Sequence, residues 1–157
     1  MHEDFVPGGR LVKEALEIYI DGACSGNPGE AAIGVVIRQQ ENTIKEISST
    51  IGEATNNIAE YSALVVALQE ALILKADRIK IYTDSELVFK QVTGSYKVKN
   101  EKLRFLLDQA LNLIKGFNGF AIQHIPREKN QVADKLATDA LKKKKQAKVV
   151  APAFCAS

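Results

Sequence analysis

The spacing of apolar and polar positions divides the chain into short strands and longer helices. Leu16-Glu17-Ile18-Tyr19-Ile20-Asp21 alternates with period two, is rich in β-branched and aromatic residues, and runs into Gly22. This predicts a strand that stops at an aspartate. Ala31 to Arg38 and Thr43 to Thr50 are two more strand candidates, and the polar stretch Gln39-Gln40-Glu41-Asn42 between them predicts an antiparallel hairpin. From Asn57 to Leu74 the run is almost uninterrupted by polar residues and too long for a strand. It predicts a helix buried against a sheet, with Thr55 or Asn56 as its cap.

The second half repeats these shapes. Ile79-Lys80-Ile81-Tyr82-Thr83-Asp84 predicts another strand ending in aspartate, and Ser85 opens a short helix to Val92 that Gly94 stops. Glu101 to Lys115 is amphipathic, Phe120 to Ile125 reads as a fifth strand, and Asn130 to Lys143 as a final helix with Val132, Ala133, Leu136, Ala137, Ala140 and Leu141 inward. The order β-β-β-α-β-α-α-β-α predicts an α/β fold. Strands joined through helices are usually parallel, so the expected architecture is a five-stranded mixed sheet, an antiparallel meander plus parallel strands, flanked by helices.

Composition sets the outer bounds. At 157 residues the chain suits one domain, expected over residues 14–141. Pro7, Gly8 and Gly9 mark residues 1–13 as a flexible lead-in, and residues 142–157 read as a basic, disordered tail. That tail holds five lysines and no acid, which leaves sixteen basic against nineteen acidic groups in residues 1–141, a net charge of −3. A hydrophobic fraction of 46% excludes a fully disordered chain. The longest apolar runs are far below the ~20 residues of a membrane span, and the N-terminus has no signal-like apolar core. Only Cys24 and Cys155 are present, so neither a disulfide framework nor a cysteine zinc site is expected, and the setting expected is a reducing cytoplasm.

The candidate chemistry lies in carboxylates. Sites in open α/β sheets lie beyond the carboxyl ends of strands, where Asp21 and Asp84 are expected. One strand-end aspartate is ordinarily a turn or capping residue; two of them weaken that reading. Glu60 falls in the first turn of an apolar helix, where a free charge is costly unless paired or metal-bound, although dipole compensation is its plain alternative. Asp134 occupies the same place in the last helix. Carboxylates gathered without matching bases repel, and hard divalent cations relieve them, which points to magnesium or manganese and to a two-metal phosphodiester site. With only His2 and His124 in the chain, no zinc or Ser/His/Asp arrangement competes.

Four blocks then carry a resemblance: Asp21-Gly22-Ala23-Cys24-Ser25-Gly26-Asn27-Pro28-Gly29, Thr55-Asn56-Asn57-Ile58-Ala59-Glu60-Tyr61, Thr83-Asp84-Ser85, and Ile125-Pro126-Arg127-Glu128-Lys129-Asn130 with Ala133-Asp134-Lys135-Leu136-Ala137. In this order, over residues 14–141, they resemble ribonuclease H of type 1, the ribonuclease HI family. The resemblance implies a ribonuclease H-like fold. It also implies an endonuclease in which Asp21, Glu60, Asp84 and Asp134 hold two Mg2+ ions, with Mn2+ as a substitute. The RNA strand of an RNA/DNA hybrid would be cut to 5′-phosphate and 3′-hydroxyl ends. Substrate contacts are implied for Gly22, Cys24, Ser25 and Asn27 and for Thr55, Asn56 and Asn57. Short side chains let backbone approach a ribose, and amides both donate to and accept from a 2′-hydroxyl.

Two departures stand out. Many members carry a basic protrusion where this chain has only Gly94 to Asn100; Lys97 and Lys99 beside Tyr96 are the candidate replacements for phosphate contact. The glycine-rich loop with a mobile histidine is contracted, and His124 falls in a strand before Pro126, where its ring can face the core. Arg127 is therefore favoured over His124 as the residue that reaches the site. A binding module without catalysis would lack a carboxylate, and another nuclease of the superfold would have different acidic blocks. The expected partner is the hybrid alone, with no membrane and no obligate protein partner, for a monomer.

Overall fold

The computed structural model describes residues 5–6, 10–11 and 13–155, with side chains over residues 15–144. A two-stranded ribbon comes first, β1 (Phe5–Val6) antiparallel to β2 (Arg10–Leu11), in the segment read as a flexible lead-in. Lys13, expected in the lead-in, already belongs to the sheet, and residues 1–4, 7–9 and 12 lie outside the described residues. Then follow β3 (Lys13–Cys24), β4 (Gly29–Gln39), β5 (Asn42–Ala54), α1 (Asn56–Ile73), β6 (Ala76–Thr83), α2 (Glu86–Val92), α3 (Glu101–Ile114), β7 (Gly119–His124), a 3-10 turn (Arg127–Lys129) and α4 (Gln131–Cys155).

β3 to β7 form one sheet in the order β5-β4-β3-β6-β7. The meander β3-β4-β5 is antiparallel, and β6 and β7 add in parallel beside β3, as the pattern predicts. No helix among the described residues is long and apolar enough to cross a membrane.

Two boundaries differ from expectation in ways that bear on the site. β3 does not stop at Asp21: it stays paired with β4 through Asp21↔Gly34 to Cys24↔Ala31, so this aspartate projects from inside a strand. The period-two signal fades after Asp21 because Gly22, Ala23 and Cys24 are small, yet hydrogen bonding to β4 carries the strand onward. The last helix also does not end near Lys143. Its backbone continues to Cys155, because lysine, glutamine and alanine are good helix formers and nothing in Lys142 to Lys148 breaks them; the tail expected to be disordered is helical up to that point.

Each face of the sheet buries a different helix. Leu16, Ile18 and Ile20 of β3, Ile33, Val35 and Ile37 of β4, and Ile79 and Ile81 of β6 form a buried core with Ala63, Leu64, Ala67 and Leu68 of α1. Each fully buried Leu or Ile contributes about 1.5–3 kcal/mol. Tyr61 is buried and donates its hydroxyl to Gln91 Oε1 at 2.5 Å, which ties α2 to α1. α4 lies across the other face, where Gly34 is required: a Cβ there would stand 2.0 Å from the Ala133 carbonyl oxygen. Ala133, Ala137 and Ala140 are the small inward residues that allow this close contact, whereas Val132, expected inward, is 55% exposed because it sits about 100° round the helix from Ala133.

Candidate metal-binding active site

The strand, helix and sheet-end positions converge at one edge of this sandwich. Asp21 comes from β3, Glu60 from the second turn of α1 rather than the first, because the helix already starts at Asn56, and Asp84 from the residue just past β6. One carboxylate oxygen from each lies within 4.8 Å of those of the other two. Glu60 is held by the backbone N–H of Gly22, which donates to its Oε1 at 3.0 Å. α1 is in turn anchored by Thr55, the cap that the sequence offered with Asn56 as the alternative; its side chain accepts from Ile58 N at 3.2 Å.

Electrostatics makes this cluster costly. Asp21 is only 3% exposed. Burial, followed by the charges of Glu60, Asp84 and Asp134, pushes its carboxyl well above the usual carboxylate range. Glu60 is also pushed up, first by burial and then by Asp84, with the Gly22 N–H, Asp21 and Arg127 pulling the other way. An all-carboxylate donor set of hard oxygens, without His or Cys, fits a divalent cation of the magnesium, manganese or calcium type.

Asp134 stands beside Asp21 without belonging to the group of three. Its Oδ1 lies 3.6 Å from Arg127 Nη2. Arg127 is 79% exposed, so the pair contributes only about 0.2–1 kcal/mol to stability. The guanidinium is nevertheless delivered to the edge of the cluster. His124 ends β7 and does not face the core. It is exposed, its Nε2 is 3.3 Å from the Asp84 carbonyl oxygen, and its ring lies against Phe89 at 6.0 Å between centroids. By alternation it shares the face of Phe120 and Ile122, which pack against the core, but as the last residue of β7 it stands past those packed residues and stays exposed, so both candidate side residues flank the carboxylates.

The residues expected to contact substrate divide into neighbouring surfaces. Asn27 Oδ1 accepts from the backbone N–H of Asn56 at 3.0 Å, joining the loop after β3 to the start of α1. The Cys24 thiol donates to the Ala54 carbonyl at 2.9 Å, and Ser25 binds the Glu30 carbonyl through its backbone N–H at 2.8 Å. Asn27, Thr55 and Asn57 face Asn100, the cap of α3, and Lys102 in its first turn across a cleft of about 630 Å³. Lys97 and Lys99 line a separate groove between α2 and α3 with Tyr96 and Arg104.

Asn130 was not singled out as a site residue from the sequence, where it read as the first residue of a helix and the last residue of the block that begins at Ile125. It is 1% exposed and donates from Nδ2 to the Ile20 carbonyl at 2.8 Å and to Asp84 Oδ2 at 3.0 Å. Its place in that block, four residues before Asp134, was the available signal.

Residues 19–140 match the family model described as "Reverse transcriptase-like". Ribonuclease HI of Halobacterium salinarum is 43% identical over 135 residues, covering 85% of this chain and 65% of that protein. Ribonuclease H of Paramagnetospirillum magneticum is 33% identical, covering 82% of this chain and 90% of that protein. The chain belongs to the ribonuclease H family. Solved ribonucleases H superpose closely: RNase H1 of Halobacterium salinarum has a TM-score of 0.80 at 42% identity, covering 82% of this chain and 98% of that one. LC11-RNase H1, solved in complex with an RNA/DNA hybrid, has a TM-score of 0.77 at 40% identity, covering 82% and 98%. The chain spans 65% of the halobacterial ribonuclease HI and 35% of the bifunctional protein Rv2228c of Mycobacterium tuberculosis, which is 39% identical over the shared part. The ribonuclease H fold and a carboxylate cluster suited to a metal ion are thus both present.

Proposed function

We propose that this chain is a ribonuclease H that hydrolyses the RNA strand of RNA/DNA hybrids, leaving 5′-phosphate and 3′-hydroxyl ends. The observation that carries the reading is the meeting of Asp21, Glu60 and Asp84 within 4.8 Å, with Asp134 beside Asp21. These four would hold two Mg2+ ions, or Mn2+ in their place. Bound ions supply a water of lowered pKa and positive charge for the leaving oxygen. The relative solved with an RNA/DNA hybrid supports the substrate class.

The chain's own residues supply the rest. Gly22 and Asn130 hold the Glu60 and Asp84 carboxylates, and Arg127 offers a permanent positive charge to a phosphate oxygen at any working pH. His124 lies on the Asp84 side and is the lesser candidate for proton handling. Gly22, Cys24, Ser25, Asn27, Thr55, Asn56 and Asn57 line the approach where a 2′-hydroxyl would be sensed, and Lys97 and Lys99 provide cations for the flanking backbone. Residues 14–141 would act as a monomer in the cytoplasm without an obligate protein partner. A binding module that has lost catalysis is disfavoured, because each of the four carboxylates is present.

One gel tests the reading. A labelled 20-mer RNA is offered annealed to DNA, annealed to RNA, or single, with and without magnesium. Cleavage of the hybrid alone, and only with metal, is expected; equal cleavage of the free RNA, or none of the hybrid, overturns it.

A further inference from the structure

We propose that Asn130 is a positioning residue that fixes the Asp84 carboxylate for metal binding, an inference that rests on the metal site of the proposed function. Asp84 needs such a tether. The last parallel pairs around it are Ile20↔Thr83 and Thr83↔His124, so Asp84 is the first residue that sheet pairing no longer holds. Its neighbour Ser85 is fixed by a bond from its own backbone N–H to Thr83 Oγ1 at 3.0 Å, but that bond leaves the Asp84 side chain free to rotate.

The chemistry at position 130 is specific. The Nδ2 group faces two acceptors, the Ile20 carbonyl and Asp84 Oδ2. Only an NH2 group satisfies both: an aspartate would set a second charge against Asp84, and an apolar residue would leave the Ile20 carbonyl and Asp84 without this donor. The amide orientation is therefore fixed, and the Oδ1 atom is left buried without a hydrogen-bond partner. The Ile20 bond satisfies a backbone carbonyl and is structural, whereas the second bond holds one oxygen of Asp84 so that the other is presented to the cluster.

The same residue reaches two more parts of the site. Its backbone carbonyl accepts from the N–H of Asp134 at 3.1 Å, which sets the first turn of α4. Ile20, its other partner, precedes Asp21 directly. Asn130 thus links three of the four carboxylate-bearing segments through bonds that touch one carboxylate only, Asp84. Groups that orient ligating carboxylates ordinarily change metal affinity by 10–100-fold when removed.

The test is calorimetric titration of MnCl2 into protein without nucleic acid. Asn130→Ala is expected to weaken binding about 10–100-fold, and in hybrid cleavage to lower kcat at fixed metal, leave KM for the hybrid unchanged, and regain kcat as metal is raised. Ser48→Ala is the control, because Ser48 Oγ donates to the Leu136 carbonyl at 2.6 Å and its loss loosens α4 without touching a carboxylate. It should bind metal as the parent does. Parent-like affinity in folded Asn130→Ala overturns the proposal, and so does a Ser48→Ala loss as large as that of Asn130→Ala. If Asn130→Ala does not fold, Asn130→Ser carries the same measurement, and parent-like affinity there overturns the proposal equally. A parent protein that binds manganese but leaves the hybrid intact would sink the nuclease reading and leave the role of Asn130 standing.

Discussion

Gly22 and Glu60 meet where β3 passes the start of α1: the Gly22 N–H donates to Glu60 Oε1 at 3.0 Å, and a Cβ on Gly22 would lie 2.5 Å from the Glu60 backbone nitrogen. The hydrogen bond exists because the glycine has no side chain. Gly22→Ala is expected to push α1 away from β3, cost about 1–3 kcal/mol of stability by overpacking, and lower hybrid cleavage more than that loss accounts for. Thermal melting and turnover at saturating metal, measured on the same preparation, check both. A variant with parent-like turnover would show that Glu60 does not need this approach.

Asp84→Asn should reduce hybrid cleavage to the metal-free background while leaving the fold as stable as the parent or more so. The amide keeps the size, removes one charge from three crowded carboxylates, and weakens the metal set. Melting curves and a cleavage assay with magnesium check this; a folded variant cutting at a near-parent rate would remove Asp84 from the site.

Metal-free protein should become less stable as pH rises. Asp21 and Glu60 are both raised by burial and like charge, so the folded state holds protons that the unfolded chain has already released. Their stabilisation is fully present below the unfolded carboxylate values of about 4 and is lost as pH climbs through the raised folded values. Melting temperatures in EDTA from pH 5 to 9 should fall for this reason. Asp21→Asn should flatten the decline, and added magnesium should offset it. A flat profile in EDTA would contradict the crowding.

The sheet order was legible because helix-period and strand-period runs alternate cleanly from Leu16 to Leu141, and small residues at Ala133, Ala137 and Ala140 marked the face of α4. The four carboxylates were legible as positions beside apolar runs. What period and composition do not encode is placement set at a distance: β4 carries β3 past Asp21, and His124 is exposed because it ends β7 past the packed residues Phe120 and Ile122. Asn130 was missed for a related reason. An asparagine at a helix start has an ordinary local use, and only the fold brings Ile20 and Asp84 to its amide.

Arg127→Ala should lower turnover more than His124→Ala. Arg127 reaches Asp134 at 3.6 Å, and its positive charge is felt by Glu60, whereas the His124 ring is tied to the Asp84 backbone carbonyl rather than to a carboxylate. Steady-state kinetics on both variants, with melting temperatures matched to the parent, compare them. A larger loss from His124→Ala would reverse the assignment.

The tail supplies the last expectation. Residues 1–141 carry a net −3, so an acidic cluster must attract a polyanion with little help from the body of the protein. Lys142 and Lys143 are exposed on α4, and the helix continues to Cys155. At 1.5 Å per residue, Lys142 lies about 12 Å along the axis from Asp134 and Lys148 about 21 Å, so any contact would fall on backbone flanking the scissile phosphate. The inward residues Ala133, Ala137 and Ala140 all precede residue 142, and deletion of 142–157 should leave melting and turnover at saturating hybrid near the parent values. Binding should weaken, and the slope of log K against log salt should flatten by roughly 0.9 per lost phosphate contact on a duplex. Titrations of hybrid at several salt concentrations, full-length against truncated protein, decide it: identical slopes would mean that these lysines keep a helix end soluble and never touch the substrate.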